Sequence, residues 1–108
     1  MTAARKRVSE ALKVTDEIAA TRCSAWDGLI REEVWKDRAG NVVRYNLAFI
    51  NFHLFAGDHG RVLGYDTAHG TAHRHFAGVV EQIDAADYRE ILKRFIAEVE
   101  ELKTRRNL

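Results

Sequence analysis

The sequence has no proline and only one cysteine, and both scarcities limit what the protein can be. A single cysteine, Cys23, cannot form an intramolecular disulfide, and a zinc site made of cysteines alone is excluded. Long apolar runs are missing as well. None approaches the roughly 20 residues that span a bilayer, and no apolar stretch of a secretory signal follows the basic N-terminus. We therefore expect a cytoplasmic protein that is not bound to a membrane.

The composition is that of a globular protein. Apolar residues make up 46% of the 108 residues and charged residues 31%, so we expect a single domain over residues 1–108 with one modest core. The net charge of +1 indicates no particular partner. Between Arg38 and Phe76, however, there are four arginines, no lysine and all five histidines, which would suit a phosphate-bearing partner.

Two helices are predicted, one near each end of the chain. Small and apolar residues recur at helical spacing from Ala3 to Ala20, so residues 1–25 are predicted to form an N-terminal helical extension. A second helix is predicted to begin after Asp84, which would cap it. Its apolar stripe is continuous and consists of Tyr88, Ile91, Leu92, Phe95, Val99 and Leu102.

Between the two helices the apolar residues alternate as they do in strands. Strands are predicted at Gly28–Asp37, at Val42–Phe55 and over the segment RVLGYD at residues 61–66, and residues 77–83 could add a short fourth strand. The predicted fold class is α+β. It has a small antiparallel sheet of three to four strands, an N-terminal helix and a long C-terminal amphipathic helix packed on the sheet.

One stretch, GYDTAHGTAHRHF from Gly64 to Phe76, concentrates the side chains that can carry chemistry. Tyr65 and Asp66 are predicted to end the third strand. The loop predicted after it contains the histidines His69, His73 and His75. If this stretch were strand-like, His73 and His75 would share one face and Arg74 would lie on the other. Loops at strand ends are common sites of catalysis, because a rigid sheet positions them.

Three interpretations of the stretch stay open. In the first, a neutral imidazole takes the proton of a ribose 2′-hydroxyl, a protonated one gives a proton to the leaving oxygen, and an arginine neutralises the charge on the phosphate. The residues with these roles would be His73, His75, Arg74 and Tyr65, with Asp66 orienting a histidine. In the second, the His-x-His pair binds a metal ion together with His69 or Asp66, although the spacing matches no familiar zinc site. In the third, the polar side chains only fix the turn by bonding to the backbone.

Two other features bear on binding. Arg44 would share a strand face with Asn46, and it becomes a phosphate contact if that face looks toward the histidines; His69 is a second candidate for substrate binding. Trp26 and Trp35 are interpreted as core residues or subunit contacts, because aromatic residues that stack on bases normally lie among basic ones. Apolar surface beside the N-terminal helix, together with these tryptophans, predicts a homodimer.

The segment RYNLAFI followed by GRVLGYDTAHGTAHRHF resembles the TumE-type toxins of bacterial toxin–antitoxin systems and their relatives. The matching positions are Arg44–Ile50, Arg61–Asp66 and His69–His75, and the similarity covers residues 28 to about 103. The Tyr-Asp and His-x-His elements are its specific part. This chain departs from the pattern at Thr67, where the family often has asparagine, and its first 25 residues look like an addition.

The resemblance implies a small intracellular toxin held inactive by a cognate antitoxin, often a helix-turn-helix protein from the neighbouring gene. A ribonuclease-like activity is the usual expectation for toxins of this size, and it favours the catalytic interpretation of the histidine stretch over the structural one. We therefore expect a protein that cleaves or binds RNA without a metal or other cofactor. The alternatives are a non-catalytic protein-interaction module and a histidine-based metal-binding domain.

Overall fold

The computed structural model describes residues 11–68, 70–84 and 87–108. Its elements in chain order are β1 (Leu12–Thr21), β2 (Gly28–Lys36), β3 (Val42–Ile50), β4 (Arg61–Ala68), β5 (Thr71–Phe76), β6 (Val79–Ile83) and α1 (Tyr88–Leu102). Each strand pairs antiparallel with the next along the chain, so the six strands form one meander whose spatial order is the sequence order. The predicted sheet of three to four strands is therefore corrected to six.

The predicted N-terminal helix is wrong where the structure can test it. Residues 12–21 form β1, and residues 1–10 lie outside the described part of the chain. Alanines produced the helical spacing, but the β-branched residues Val14, Thr15 and Ile18 suit a strand. β1 also gains a partner along its whole length in β2, with ion pairs such as Lys13 to Glu33 at 2.6 Å. Pairing between strands therefore outweighs a weak local preference for helix.

The histidine stretch is a strand and not the predicted loop. Residues 71–76 form β5, which pairs with β4 on one side and with β6 on the other. In the segment TAHRHF, His73 and His75 alternate with Ala72, Arg74 and Phe76, which is the two-residue period of a strand. The turn before β5 includes Gly70 at φ +77°, a conformation that glycine adopts without strain.

α1 packs over β3 and β4 and covers one face of the sheet. It begins at Tyr88 after the N-cap Asp87, whose side chain accepts a hydrogen bond from the backbone N–H of Glu90, and not directly after Asp84 as predicted. Four residues of the predicted apolar stripe, Ile91, Phe95, Val99 and Leu102, are buried, and Tyr88 and Leu92 are partly buried. The core consists chiefly of Tyr45, Leu47, Phe49, Leu63 and Tyr65 from the sheet and Ile91, Phe95, Val99 and Leu102 from α1.

The opposite face of the sheet, called the open face below, is covered by no helix among residues 11–68, 70–84 and 87–108. Its centre is polar, as is usual for the solvent side of an antiparallel sheet. The cross-strand register aligns one row of Asp16, Glu33, Asn46, Asp66 and His73, and beside it a row of Arg31, Ala48, Gly64 and His75. Among the described residues, no helix has the length and apolar character needed to span a membrane.

Candidate active site

His75 and Asp66 are in direct contact on the open face. His75 Nε2 lies 3.0 Å from Asp66 Oδ2, and Arg61 Nη2 lies 3.1 Å from the other ring nitrogen, Nδ1. A guanidinium only donates hydrogen bonds, so Nδ1 accepts, and in a neutral ring the hydrogen is then on Nε2, the nitrogen nearer to Asp66. The two neighbours therefore hold the neutral imidazole in one tautomer and one orientation.

The pairing of β4 with β5 brings these side chains together. Gly64 lies opposite His75, and Asp66 lies opposite His73. The side chain of Arg61 passes over Gly64 to reach His75, and a Cβ at residue 64 would stand 2.8 Å from Arg61 Cδ. A residue without a side chain is therefore needed at position 64 for Arg61 to take this path.

Arg61 is shared among three acceptors. Its Nε donates to Asp58 Oδ2 at 2.8 Å, its Nη1 lies 3.5 Å from Asp66 Oδ2, and its Nη2 contacts His75. A phosphate oxygen could replace one of these partners while the others still compensate the positive charge. Arg61 was not predicted as a site residue from the sequence. One feature of the sequence could have indicated Arg61. Gly64 on the same strand has no side chain, so a long side chain can pass over it.

His73 is held less tightly than His75. Its Nδ1 lies 4.0 Å from Asp66 Oδ1, which is beyond hydrogen-bond distance, and its side chain is 26% exposed. The described residues provide no hydrogen bond to this ring. His73 therefore lies beside the fixed pair of His75 and Asp66 with an imidazole that can bond to a ligand.

A second polar cluster continues the row on the other side of Asp66. Glu33, only 9% exposed, accepts a hydrogen bond from Asn46 Nδ2 at 2.8 Å and pairs with Arg31 Nε at 3.1 Å and Lys13 Nζ at 2.6 Å. The hydrogen bonds from Arg31 and then Lys13 lower the pKa of Glu33 to about 2. Glu33 is therefore ionised at all ordinary pH values and fixes the orientation of the Asn46 amide. Neither residue was predicted as functional, because only the strand register aligns them with Asp66.

Tyr65 and Arg74 lie on the face of the sheet that α1 covers, away from His73 and His75. Both bond to the carboxylate of Glu98 on α1, and Arg74 Nη1 lies 3.5 Å from Glu81 on β6. Burial, with a contribution from the hydrogen bond to Glu98, raises the pKa of Tyr65 to about 12. The structure thus divides the five predicted catalytic residues into two groups. His73, His75 and Asp66 are together, whereas Tyr65 and Arg74 connect the sheet to α1.

The two predicted substrate-binding residues have different outcomes. Arg44 lies on the open face, and its guanidinium carbon is 4.4 Å from the centre of the Trp35 ring. In the part of the chain that the structure describes, no carboxylate lies within ion-pair distance of Arg44, so its charge can meet an anion. His69 lies outside the described residues.

The described residues contain no group of three or more His, Cys, Asp or Glu side chains arranged to hold a metal ion. Comparisons of the chain with protein-family models, with curated proteins and with solved structures give no match. The resemblance to the TumE-type toxins therefore stays a prediction, and the proposal below depends on the geometry of the site.

Proposed function

We propose that the protein is a toxin-like component of a toxin–antitoxin system that cleaves RNA on the open face by metal-independent acid–base chemistry. The observation that carries the proposal is the position of His73 beside the Arg61–His75–Asp66 chain of contacts. The imidazoles of His73 and His75 thus have different environments but share one accessible surface. The Arg61 guanidinium contacts both the His75 ring and the Asp66 carboxylate.

His73 acts as the base in this scheme. It takes the proton of a ribose 2′-hydroxyl, whose oxygen attacks the phosphorus to form a 2′,3′-cyclic phosphate while the bond from phosphorus to the 5′-oxygen breaks. His75 supplies the proton that the leaving 5′-oxygen needs. The carboxylate of Asp66 stabilises the imidazolium form of His75, as the aspartate does in a serine-protease triad.

Arg61 has two roles in the cycle. An arriving phosphate competes with His75 Nδ1 for the Arg61 guanidinium. When the guanidinium moves from Nδ1 to the phosphate, Nδ1 becomes free to bind a proton. Arg44 supplies a second positive charge on the same face. In this proposal Arg61 replaces Arg74 as the arginine at the reacting phosphate, because Arg74 is bonded to Glu98 on the other side of the sheet.

The partners in this proposal follow from the resemblance to TumE-type toxins. A cognate antitoxin, of the helix-turn-helix class, would block the open face, and RNA would be the substrate.

Exposed apolar side chains on both edge strands, among them Ile18 on β1 and Val80 on β6, also fit the proposed homodimer. Co-expression with the product of the neighbouring gene and light scattering of the purified protein test the antitoxin and the dimer.

The catalytic proposal is tested by RNA cleavage with three matched variants. His73→Asn and His75→Asn should each lower the cleavage rate roughly 10²–10⁴-fold, the usual range for loss of an acid or base. His59→Asn is the control, because His59 is exposed in the turn before β4 and has φ +55°, which asparagine tolerates. EDTA should leave the wild-type rate unchanged.

Other outcomes point to the alternatives. Cleavage that EDTA abolishes would favour the histidine-based metal site. Equal and negligible cleavage by all four proteins, together with tight binding of a partner protein, would favour the non-catalytic interaction module. A bell-shaped dependence of the rate on pH that becomes one-sided in each histidine variant would support the division into one acid and one base.

A further inference from the structure

An exposed aromatic pair lies at one end of the open face. Trp26, in the loop between β1 and β2, and Phe52, in the turn after β3, are each 62% exposed. Together with Leu29 and Ile50 they line a cleft of about 250 Å³. Leu29 and Ile50 are cross-strand partners on the open face, so the cleft begins where the polar centre of that face ends.

Contacts with neighbouring residues hold Trp26 and Phe52 in place. Asn51, only 3% exposed, donates from Nδ2 to the carbonyl oxygen of Trp26 at 2.9 Å and accepts from the backbone N–H of His53 at 3.0 Å. The ring of Phe52 lies against Gly60, where a Cβ would stand 2.8 Å from it. Gly60 has φ +80°, so glycine is favoured at that position for its backbone as well. The Trp26 ring also lies beside the His53 ring, with the ring centres 5.6 Å apart. Two solvent-exposed aromatic rings are therefore preorganised, which lowers the entropy lost on binding.

The cleft adjoins the candidate active site. Ile50, on the wall of the cleft, is the cross-strand partner of Arg61, whose guanidinium contacts His75. Directly opposed residues in an antiparallel pair have Cα atoms only about 5 Å apart. The cleft therefore borders the backbone of Arg61, the residue whose guanidinium would meet the phosphate.

We propose that Trp26 and Phe52 form a stacking subsite for one nucleobase of the RNA strand, next to the phosphate that meets Arg61 and His75. The inference rests on the proposed function and adds the position of a base to it. Aromatic rings beside a cationic group are the usual elements of single-strand recognition, because every base has a face that can stack. This assignment differs from the sequence-based interpretation of Trp26 as a core residue or a subunit contact.

The test uses single-stranded RNA in which 2′-O-methyl groups block cleavage, with one abasic residue moved through the positions. Dissociation constants are measured for wild type, Trp26→Ala, Trp26→Phe, Phe52→Leu and the control Ile96→Ala, whose side chain is 51% exposed on α1. Trp26→Ala and Phe52→Leu should weaken binding about 10-fold, whereas Trp26→Phe and Ile96→Ala should bind like wild type.

The decisive result is a coupling between protein and RNA. At one position the abasic residue should weaken binding to wild type about 10-fold and leave binding to Trp26→Ala unchanged, because each change removes the same stacked pair. Equal losses in both proteins at every position, or no RNA binding by wild type, would overturn the subsite. A change of oligomeric state in Trp26→Ala without this coupling would show instead that the ring is a protein contact.

Different experimental results would contradict the stacking subsite and the proposed function. Coupling at one position with no effect of His73→Asn on cleavage would reject the catalytic proposal and keep the subsite. Cleavage that depends on His73 and His75 without coupling at Trp26 would reject the subsite alone.

Discussion

Arg61 reaches His75 only because Gly64 has no side chain: a Cβ at residue 64 would stand 2.8 Å from Arg61 Cδ and 3.2 Å from the carbonyl oxygen of Leu47. We therefore expect Gly64→Ala to displace the guanidinium from His75 and to lower RNA cleavage about as much as Arg61→Ala does. Cleavage rates and thermal unfolding of the two variants measure this. A double variant with both Gly64→Ala and Arg61→Ala shows whether the loss in Gly64→Ala comes from a steric clash with Arg61 or from a general distortion of β4. In the Arg61→Ala background Gly64→Ala should have little further effect on cleavage, and two independent, additive losses would contradict the explanation.

The packing of α1 on the sheet makes a prediction about stability. Phe95 is 2% exposed and its ring meets Tyr65 edge-on, with the ring centres 6.4 Å apart, whereas the neighbouring Ile96 is 51% exposed. Phe95→Ala should lower the free energy of unfolding by about 3–5 kcal/mol, because it removes buried apolar surface and leaves a cavity. Ile96→Ala should change it by less than about 0.5 kcal/mol, measured by denaturant unfolding. Equal losses would mean that α1 does not pack on the sheet through this stripe.

The sequence predicted those elements whose side chains divide cleanly between core and solvent. The α1 stripe is continuous, and Tyr45, Leu47 and Phe49 alternate on β3 as expected and are buried. Val43, which this alternation would also place on the core face, is instead 49% exposed near the start of β3. β1 and β5 were missed for one reason. Both are rich in alanine, charge or histidine, so their apolar alternation is weak or absent, and they become strands because neighbouring strands provide backbone hydrogen-bond partners.

The candidate site was predictable in part for the same reason. A two-residue period puts His73 and His75 on one face and Arg74 on the other, and the structure has this arrangement. In a loop the three side chains could have met at one site. In a strand Arg74 is separated from the two histidines by the sheet. Glu33 and Asn46 belong to other strands, and only the register between strands aligns them with Asp66.

Glu33 gives the protein a defined dependence of stability on acid pH. Its pKa in the folded protein is about 2, below the usual value of about 4.3 for an unfolded chain. Such a depressed carboxyl stabilises the folded state fully above the unfolded pKa, and the contribution is lost as pH falls from about 4.5 through about 2. Glu33→Gln should therefore unfold more easily at pH 7, by about 2 kcal/mol, and its stability should depend less on pH in this window.

The control for this prediction is Glu17→Gln. Glu17 is exposed on β1, and the structure assigns it no ion pair within the described part of the chain. Denaturant unfolding from pH 7 down to pH 2 should give parallel curves for Glu17→Gln and wild type. A Glu33→Gln curve that runs parallel to the wild-type curve would show that the pairs with Arg31 and Lys13 do not stabilise the fold.

Arg74 separates the sequence-based assignment of the site from the structural one. Its guanidinium bonds to Glu98, which also accepts the hydroxyl hydrogen bond of Tyr65, so the three side chains hold α1 on the sheet. Arg74→Met keeps much of the aliphatic stem but leaves Glu98 without its charged partner. We expect it to lower the free energy of unfolding by about 1–3 kcal/mol, the usual cost of an unpaired, partly buried charged group. The cleavage rate of the folded protein should stay within about twofold of wild type, because the guanidinium does not reach the open face.

The matched comparison is Arg61→Met, because Arg61 contacts His75 and Asp66. This variant should cleave RNA roughly 10²-fold more slowly, or slower still, while the fold persists. If Arg74→Met instead abolishes cleavage at unchanged stability and Arg61→Met does not, the reacting phosphate lies on the α1 side of the sheet and Arg74 is its arginine.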